Sequence, residues 1–331
     1  MNNDIFNENI ISFRKRRNRT PMILCALLLA FLLFAGGCSA PENTSASTEP
    51  STDETSGPEV SEETDKSEAP EEPPSESADS ETPPQKDSDS SEEDFDFSQT
   101  LDLKVPDPAA GENPRILFAG NSHTFTNDLP AMFGEVVRGM GRQCEVQELS
   151  EGYYTLTQFA DTSDELGAAL HQKLTEEHWD FVILQENTND AFAYAEENML
   201  PAAAALDEKI RAAGGQTALL MTWTPKEGAS IMGPELVQSA LAQNTMAVAE
   251  RLDSLLIPGG IGFMRCLDQY PQTELWAEDG MHPSPEGSYL AACTAYAVIF
   301  RESPVGCSYT GELEPETAAQ LQELAAGFLT E

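Results

Sequence analysis

Short apolar runs alternate with longer stretches of helical spacing from about residue 113 to the end of the chain. An unbroken apolar run that is too short for a helix is typical of a strand buried on both faces of a parallel sheet. We expect strands at 115–119, 144–149, 181–184, 218–223 and 255–258, and helices at 129–140, 156–174, 198–213, 235–252 and 285–300. This alternation predicts an α/β fold, a three-layer α/β/α sandwich with a central parallel sheet, which binds ligands beyond the carboxyl ends of its strands.

The preceding part of the chain has a composition that cannot build such a core. Residues 39–105 consist mainly of Ser, Thr, Glu, Asp and Pro, and a segment of this kind buries too little apolar surface to offset the entropy lost on ordering. We therefore expect a disordered acidic stalk at 39–105 and one folded domain at 106–331. The whole chain has 57 acidic and 18 basic side chains, for a net charge of −39, which argues against a nucleic-acid partner.

The first 38 residues have the pattern of an export signal. A basic cluster at 14–19 precedes an apolar run at 21–37, and the small residues Ala35, Gly36 and Gly37 lie directly before Cys38. This order of charge, apolar run and small residues is typical of translocation signals. The last residues resemble the lipobox of bacterial lipoproteins, which implies lipid attachment at Cys38 and a location on the outer face of the cytoplasmic membrane. An uncleaved membrane-spanning helix is the alternative, because the run is only slightly short of the roughly 20 residues that a span needs.

Two short motifs carry residues suited to nucleophilic chemistry. Gly120-Asn121-Ser122 follows the first predicted strand, and Asp279-Gly280-Met281-His282 precedes the last predicted helix. A serine hydroxyl becomes a nucleophile when an imidazole accepts its proton and a carboxylate orients that imidazole. We therefore predict Ser122 as the nucleophile, His282 as the general base and Asp279 as the orienting carboxylate.

These motifs are similar to the first and last conserved blocks of the SGNH hydrolases, also called GDSL-like esterases. The resemblance spans about residues 115–300 and implies a flavodoxin-like fold, a serine esterase mechanism and no metal or other cofactor. It also implies an oxyanion hole made of the Ser122 and Gly152 N–H groups and an amide side chain after the third strand. The family's glycine is missing from that third block, so Gln185 is the first choice for the amide donor, Asn187 the second and Asn189 the third.

Together these features predict a surface-anchored serine esterase that removes a small acyl group, acetyl first, from a carbohydrate. Its expected partners are an acyl ester or acylated glycan substrate and the membrane, through the lipid anchor. Two other interpretations stay open, a non-catalytic glycan-binding lipoprotein that uses the same cleft and a lipase or thioesterase. Four cysteines remain in the predicted domain, and their three possible disulfide pairings cannot be separated by sequence: Cys144, Cys266, Cys293 and Cys307.

Overall fold

A computed structural model describes residues 95–329 of the chain. The predicted signal, the lipid-attachment residue Cys38 and most of the predicted stalk lie outside the described residues.

The centre of the domain is a five-stranded parallel sheet. Its strands are β1 (Arg115–Gly120), β2 (Glu145–Ser150), β3 (Phe181–Leu184), β4 (Gln216–Leu220) and β5 (Leu255–Ile257). The strand order is β2-β1-β3-β4-β5 with every neighbouring pair parallel. The predicted α/β fold is confirmed, and the order is that of flavodoxin-like sheets, in which the direction of winding reverses between β1 and β3. A crevice opens at such a reversal, beyond the carboxyl ends of these two strands.

Ten α-helices connect and follow these strands in the described part of the chain. They are α1 (Ser122–Phe125), α2 (Leu129–Gly139), α3 (Leu156–Ala160), α4 (Glu165–Glu176), α5 (Thr188–Ala193), α6 (Leu200–Ala212), α7 (Pro234–Leu252), α8 (Gly259–Gln269), α9 (Pro285–Phe300) and α10 (Pro315–Ala326). The prediction of a single helix at 156–174 is wrong. The segment forms two helices, because Asp161 accepts from the Ser163 N–H in the turn between them and Asp164 caps the second helix by accepting from the Leu166 and Gly167 N–H groups.

The helices form the two outer layers of the sandwich. Helices α2, α8 and α10 pack around α9, while α4, α6 and α7 pack side by side and α3 packs on α6. Right-handed crossovers place the first group on one face of the sheet and the second group on the other. Helix α9 is apolar around its whole circumference, and its residues from Gly287 to Ile299 are buried, as expected of a helix enclosed by other elements.

The folded domain begins earlier than the predicted boundary at residue 106. Leu101 and Leu103 are buried in the core, and Phe95 and Phe97 pack against it. The Arg265 guanidinium holds this segment by donating to the carbonyl oxygens of Phe97 and Gln99, each at 2.8 Å. The stalk prediction therefore extended too far, because these few apolar residues follow a long polar segment and find their partners only in the tertiary structure.

The four cysteines of the domain are free thiols, and three of them are buried. Among residues 95–329, no helix combines the length and the apolar character needed to cross a bilayer.

Candidate active site

The turn after β1 presents Ser122 at the carboxyl edge of the sheet. Gly120 ends the strand, and the side chain of Gln185 from the end of β3 packs directly against it. The Gln185 Oε1 accepts from the Asn121 N–H and from the Thr124 hydroxyl, each at 2.9 Å. A Cβ at Gly120 would lie 2.6 Å from that Oε1 and 2.2 Å from the Thr124 hydroxyl oxygen. Only glycine leaves room for this network, which accounts for the glycine two residues before Ser122.

Asn121 fixes the turn from its other side. Its Oδ1 accepts from the His123 N–H at 3.1 Å, and its Nδ2 donates to the Tyr154 carbonyl at 2.9 Å. The first bond caps α1, as Asx side chains commonly do. The two bonds hold the nucleophile turn onto the loop that follows β2, so that Ser122 keeps a fixed, half-buried position.

The loop before α9 brings two of the predicted catalytic residues into contact. The His282 Nδ1 lies 2.5 Å from the Asp279 Oδ2, while the Asp279 Oδ1 accepts from the backbone N–H groups of Met281 and His282 at 2.9 and 3.0 Å. Gly280 allows this tight loop because its φ is +66°. The Lys226 N–H donates to the Gly280 carbonyl at 2.8 Å and ties the loop to the segment after β4.

These contacts determine the charge and the orientation of the pair. Partial burial acts to raise the pKa of Asp279, but the hydrogen bonds from His282 and from the two backbone N–H groups outweigh it and hold that pKa below its usual value. Asp279 is therefore an anion at neutral pH and favours the tautomer of His282 that carries its proton on Nδ1. The Nε2 of His282 is left as a proton acceptor.

Ser122 and His282 line one cleft at the carboxyl ends of the strands. The cleft has a volume of about 90 Å³ and is lined by Asn121, Ser122, His123, Tyr153, Asn187, Thr188, Asn189, Trp223, Pro225, Met281 and His282. Its lining comes from the turns after β1, β2, β3 and β4 and from the loop before α9. The site therefore lies where the strand order of the sheet predicts a ligand.

His123 lines the cleft beside Ser122. Its ring lies against the buried Trp223, with 5.2 Å between ring centroids, and 5.7 Å from the ring of His282. Burial, with a smaller effect from His282, lowers the pKa of His123 to about 3, although a bond to the Met281 backbone acts in the opposite direction. The imidazole of His123 is thus neutral at physiological pH and bonds the backbone of the loop that carries His282.

The predicted oxyanion donors have separate positions in the structure. Gly152 and Gln185 are not among the described residues that line the cleft. The Gly152 N–H donates to the Glu151 carboxylate at 3.1 Å, and the Gln185 Nε2 donates to the Glu186 carbonyl at 2.7 Å. The Gly152 N–H and one N–H of the Gln185 side chain thus bond within their own turns, and the assignment of these two residues to the oxyanion hole stays a prediction.

Asn187, the second choice, does line the cleft. Its Oδ1 accepts from the Asn189 N–H at 3.0 Å, and its Nδ2 donates to the Tyr153 carbonyl at 3.3 Å. An amide nitrogen carries two hydrogens, so one N–H of Asn187 is available to a ligand. Asn189 also lines the cleft, and its Oδ1 is buried without a hydrogen-bond partner.

Glu186 is a buried carboxyl group that the sequence did not single out. Its Oε1 accepts from the Leu156 N–H at 3.0 Å and from the Asn187 N–H at 2.7 Å, so it joins the loop after β2 to the loop after β3. Burial raises the pKa of Glu186 to about 8, and the nearby Asp190 adds to the shift. The only sequence signal is an acidic residue two positions after the end of a fully buried strand. Within residues 95–329, no three His, Cys, Asp or Glu side chains are grouped to hold a metal ion.

Comparison with known proteins identifies relatives among solved structures. A protein from Slackia heliotrinireducens assigned as an SGNH hydrolase is 30% identical to this chain over 56% of this chain and 98% of its own length, with a TM-score of 0.49. A DUF4886 family protein from Bacteroides uniformis is 16% identical, with a TM-score of 0.56 over 64% of this chain and 93% of its own, and shares the fold. An acetylxylan esterase from Geobacillus stearothermophilus is 16% identical with a TM-score of 0.45, over 57% of this chain and 95% of its own, which is too distant to bear on function. No protein-family model and no curated protein sequence matches the chain.

Proposed function

This chain belongs to the SGNH hydrolase superfamily, and we propose that it is a serine esterase that removes a small acyl group, acetyl first, from a carbohydrate. The observation that carries the proposal is the 2.5 Å hydrogen bond between Asp279 and His282, on a loop that shares its cleft with Ser122. The three side-chain types have the chemistry that acyl transfer requires, a hydroxyl, a base and a carboxylate that orients the base.

The reaction takes two steps. In the first, the Ser122 Oγ attacks the ester carbonyl carbon while the His282 Nε2 takes its proton, and His282 then returns that proton to the leaving alcohol. In the second, His282 takes a proton from water, which attacks the acyl-enzyme, and the proton returns to Ser122 as the acid leaves. Asp279 stays ionised throughout and stabilises the imidazolium that forms in each step.

The negative charge of the tetrahedral intermediate needs hydrogen-bond donors. We propose the Ser122 N–H and the available N–H of the Asn187 side chain for this role. Asn187 is held rigidly, since its backbone N–H is bonded to Glu186 and its Oδ1 to the Asn189 N–H. A donor that is fixed before the reaction stabilises the developing charge without the cost of reorganisation.

The size of the cleft supports a small acyl group. An apolar cavity of about 150 Å³ is known to bind benzene, and the volume here is about 90 Å³. An acetyl group is smaller than benzene, whereas a long acyl chain is much larger. A short acyl substrate is therefore favoured over the lipid substrates of a lipase.

The decisive test is ester hydrolysis by the full chain purified in detergent. We expect turnover of para-nitrophenyl acetate that falls as the acyl chain lengthens, and loss of turnover in Ser122→Ala and His282→Ala. Ser163→Ala, at an exposed turn serine outside the cleft lining, is the matched control and should retain activity. A fluorophosphonate probe should label the wild type and the control but not Ser122→Ala. Folded protein that neither turns over nor takes the label would refute the esterase and favour the non-catalytic glycan-binding protein.

We also propose that the enzyme is exported and anchored through a lipid on Cys38. The support is the order of basic cluster, apolar run and small residues before this cysteine. Metabolic labelling with a fatty acid should label the wild type and Cys25→Ala, a matched cysteine within the apolar run, but not Cys38→Ala. Label that persists in Cys38→Ala, or a purified protein that still carries residues 1–37, would contradict the anchor.

A further inference from the structure

Tyr153 stands out among the cleft residues because most of its side chain is in solvent. It is 64% exposed, although it lines the cleft beside Asn187. The tryptophans near the cleft, Trp223 and Trp276, are both buried, as is the next residue, Tyr154. Tyr153 is thus the aromatic cleft residue that presents a free face to a ligand.

The backbone at Tyr153 has an unusual conformation for a bulky residue. Its φ is +60°, in the left-handed region that side chains other than glycine rarely occupy, and such strain tends to be retained at functional sites. A glycine would adopt this conformation without strain, yet the chain has a tyrosine at position 153 and its glycine at position 152.

Hydrogen bonds and packing on both sides hold this conformation. The Tyr153 carbonyl accepts from the Asn187 Nδ2, while Tyr154 is anchored by an edge contact with Phe159 at 4.7 Å and by the bond from Asn121 to its carbonyl. Tyr154 therefore points into the core and Tyr153 points outward. The backbone that carries the exposed ring is bonded to Asn187, so the ring projects from a defined place on the rim of the cleft.

We propose that Tyr153 binds the alcohol part of the substrate by packing its ring against the apolar face of a sugar. This inference rests on the proposed esterase function. An ester that places its acyl group in the 90 Å³ cleft must direct its alcohol part outward past the rim, where Tyr153 lies. The C–H face of a pyranose is flat and apolar, and it suits an aromatic face, while its hydroxyl groups suit the amide side chains beside Tyr153. Tyrosine offers this surface at low conformational cost because it has few rotatable bonds.

The first readout compares two acetate esters with different alcohols. For wild type and each variant, kcat/KM is measured on acetylated xylotriose and on ethyl acetate, and the ratio of the two values gives the contribution of the sugar. We expect Tyr153→Ala to lower this ratio about tenfold, in line with the strength of aromatic packing. Tyr153→Phe keeps the ring and should retain the wild-type ratio. Tyr153→Gly should lower the ratio as Tyr153→Ala does while removing the backbone strain, which separates loss of the ring from loss of folding.

The matched control is Ile231→Ala, which removes an 88% exposed apolar side chain outside the cleft lining and should leave the ratio unchanged. The second readout is calorimetric titration of Ser122→Ala, with and without Tyr153→Ala, with acetylated xylotriose. Weaker binding in the double variant supports the inference, and equal binding or an unchanged ratio overturns it. If wild type hydrolyses neither ester, the proposed function fails, and the titration still decides the role of Tyr153.

Discussion

Replacing Glu186 with glutamine should change how the stability of the domain depends on pH. The carboxyl group is 2% exposed, and burial raises its pKa to about 8 from 4.5 in an unfolded chain. Between these pH values the folded chain retains a proton that the unfolded chain has released. Rising pH therefore destabilises the fold through this group, by about 1.4 kcal/mol per pH unit. The loss begins near pH 4.5, reaches about 5 kcal/mol by pH 8 and then levels off.

Glu186→Gln removes this proton linkage but keeps the bonds to the backbone. The amide oxygen still accepts from the Leu156 and Asn187 N–H groups, while the new NH₂ occupies the position of an oxygen that has no hydrogen-bond partner. Any cost of burying that NH₂ is independent of pH. The slope of the stability difference against pH therefore tests whether Glu186 retains its proton, whereas a constant difference in stability does not.

The measurement is urea unfolding at several values between about pH 5 and 8, followed by the fluorescence of the buried tryptophans. The stability of Glu186→Gln relative to wild type should rise with pH by about 1.4 kcal/mol per unit. Glu323→Gln, at an exposed glutamate of α10, is the control, and its free energy of unfolding should change with pH in parallel with that of wild type. Parallel curves for Glu186→Gln as well would show that the carboxyl group does not retain its proton in the folded chain.

Three further variants test the site. Asp279→Asn should lower kcat by roughly 10² to 10⁴ fold, because an amide favours the wrong tautomer of His282, and steady-state kinetics on ethyl acetate would show an unchanged kcat if Asp279 has no orienting role. Asn187→Ala should lower kcat by about 10² to 10³ fold with a smaller effect on KM; a change confined to KM would assign Asn187 to substrate binding instead. Gly120→Ala should destabilise the domain by about 1–3 kcal/mol in urea unfolding, because the new Cβ displaces the Gln185 side chain, and an unchanged midpoint would contradict that close approach.

The sequence predicted the sheet well because its signal is local. The strand at 181–184 is a run of four buried apolar residues, and the pattern needs no knowledge of its neighbours. The prediction missed α8 because it begins with Gly259 and Gly260, which disfavour a helix. These glycines are there because other elements lie too close for a side chain: a Cβ at Gly260 would lie 2.2 Å from the Thr222 carbonyl. That approach is set by tertiary packing and cannot be derived from spacing.

The candidate site likewise has features that follow from local sequence and features that depend on long-range packing. Asp279 and His282 are three residues apart, so a single tight loop brings them together and their contact was predictable. The role of Gln185 depends on which way its side chain turns at the end of β3. It turns toward the nucleophile turn of β1, a strand more than 60 residues earlier in the sequence, and its Oε1 accepts two hydrogen bonds there. Which amide remains for the cleft follows only from that long-range packing.

The burial of α9 has a consequence for how the site moves. The loop with Asp279 and His282 runs directly into this helix, whose first turn is capped by Ser284, which accepts from the Gly287 N–H at 3.0 Å and donates to the Glu274 carbonyl at 2.6 Å. A helix enclosed on all sides exchanges its amide hydrogens only when the whole domain opens. The base and its carboxylate are thus attached at one end to the part of the molecule that opens last, so thermal loosening should disorder the outer loops well before it separates His282 from the start of α9.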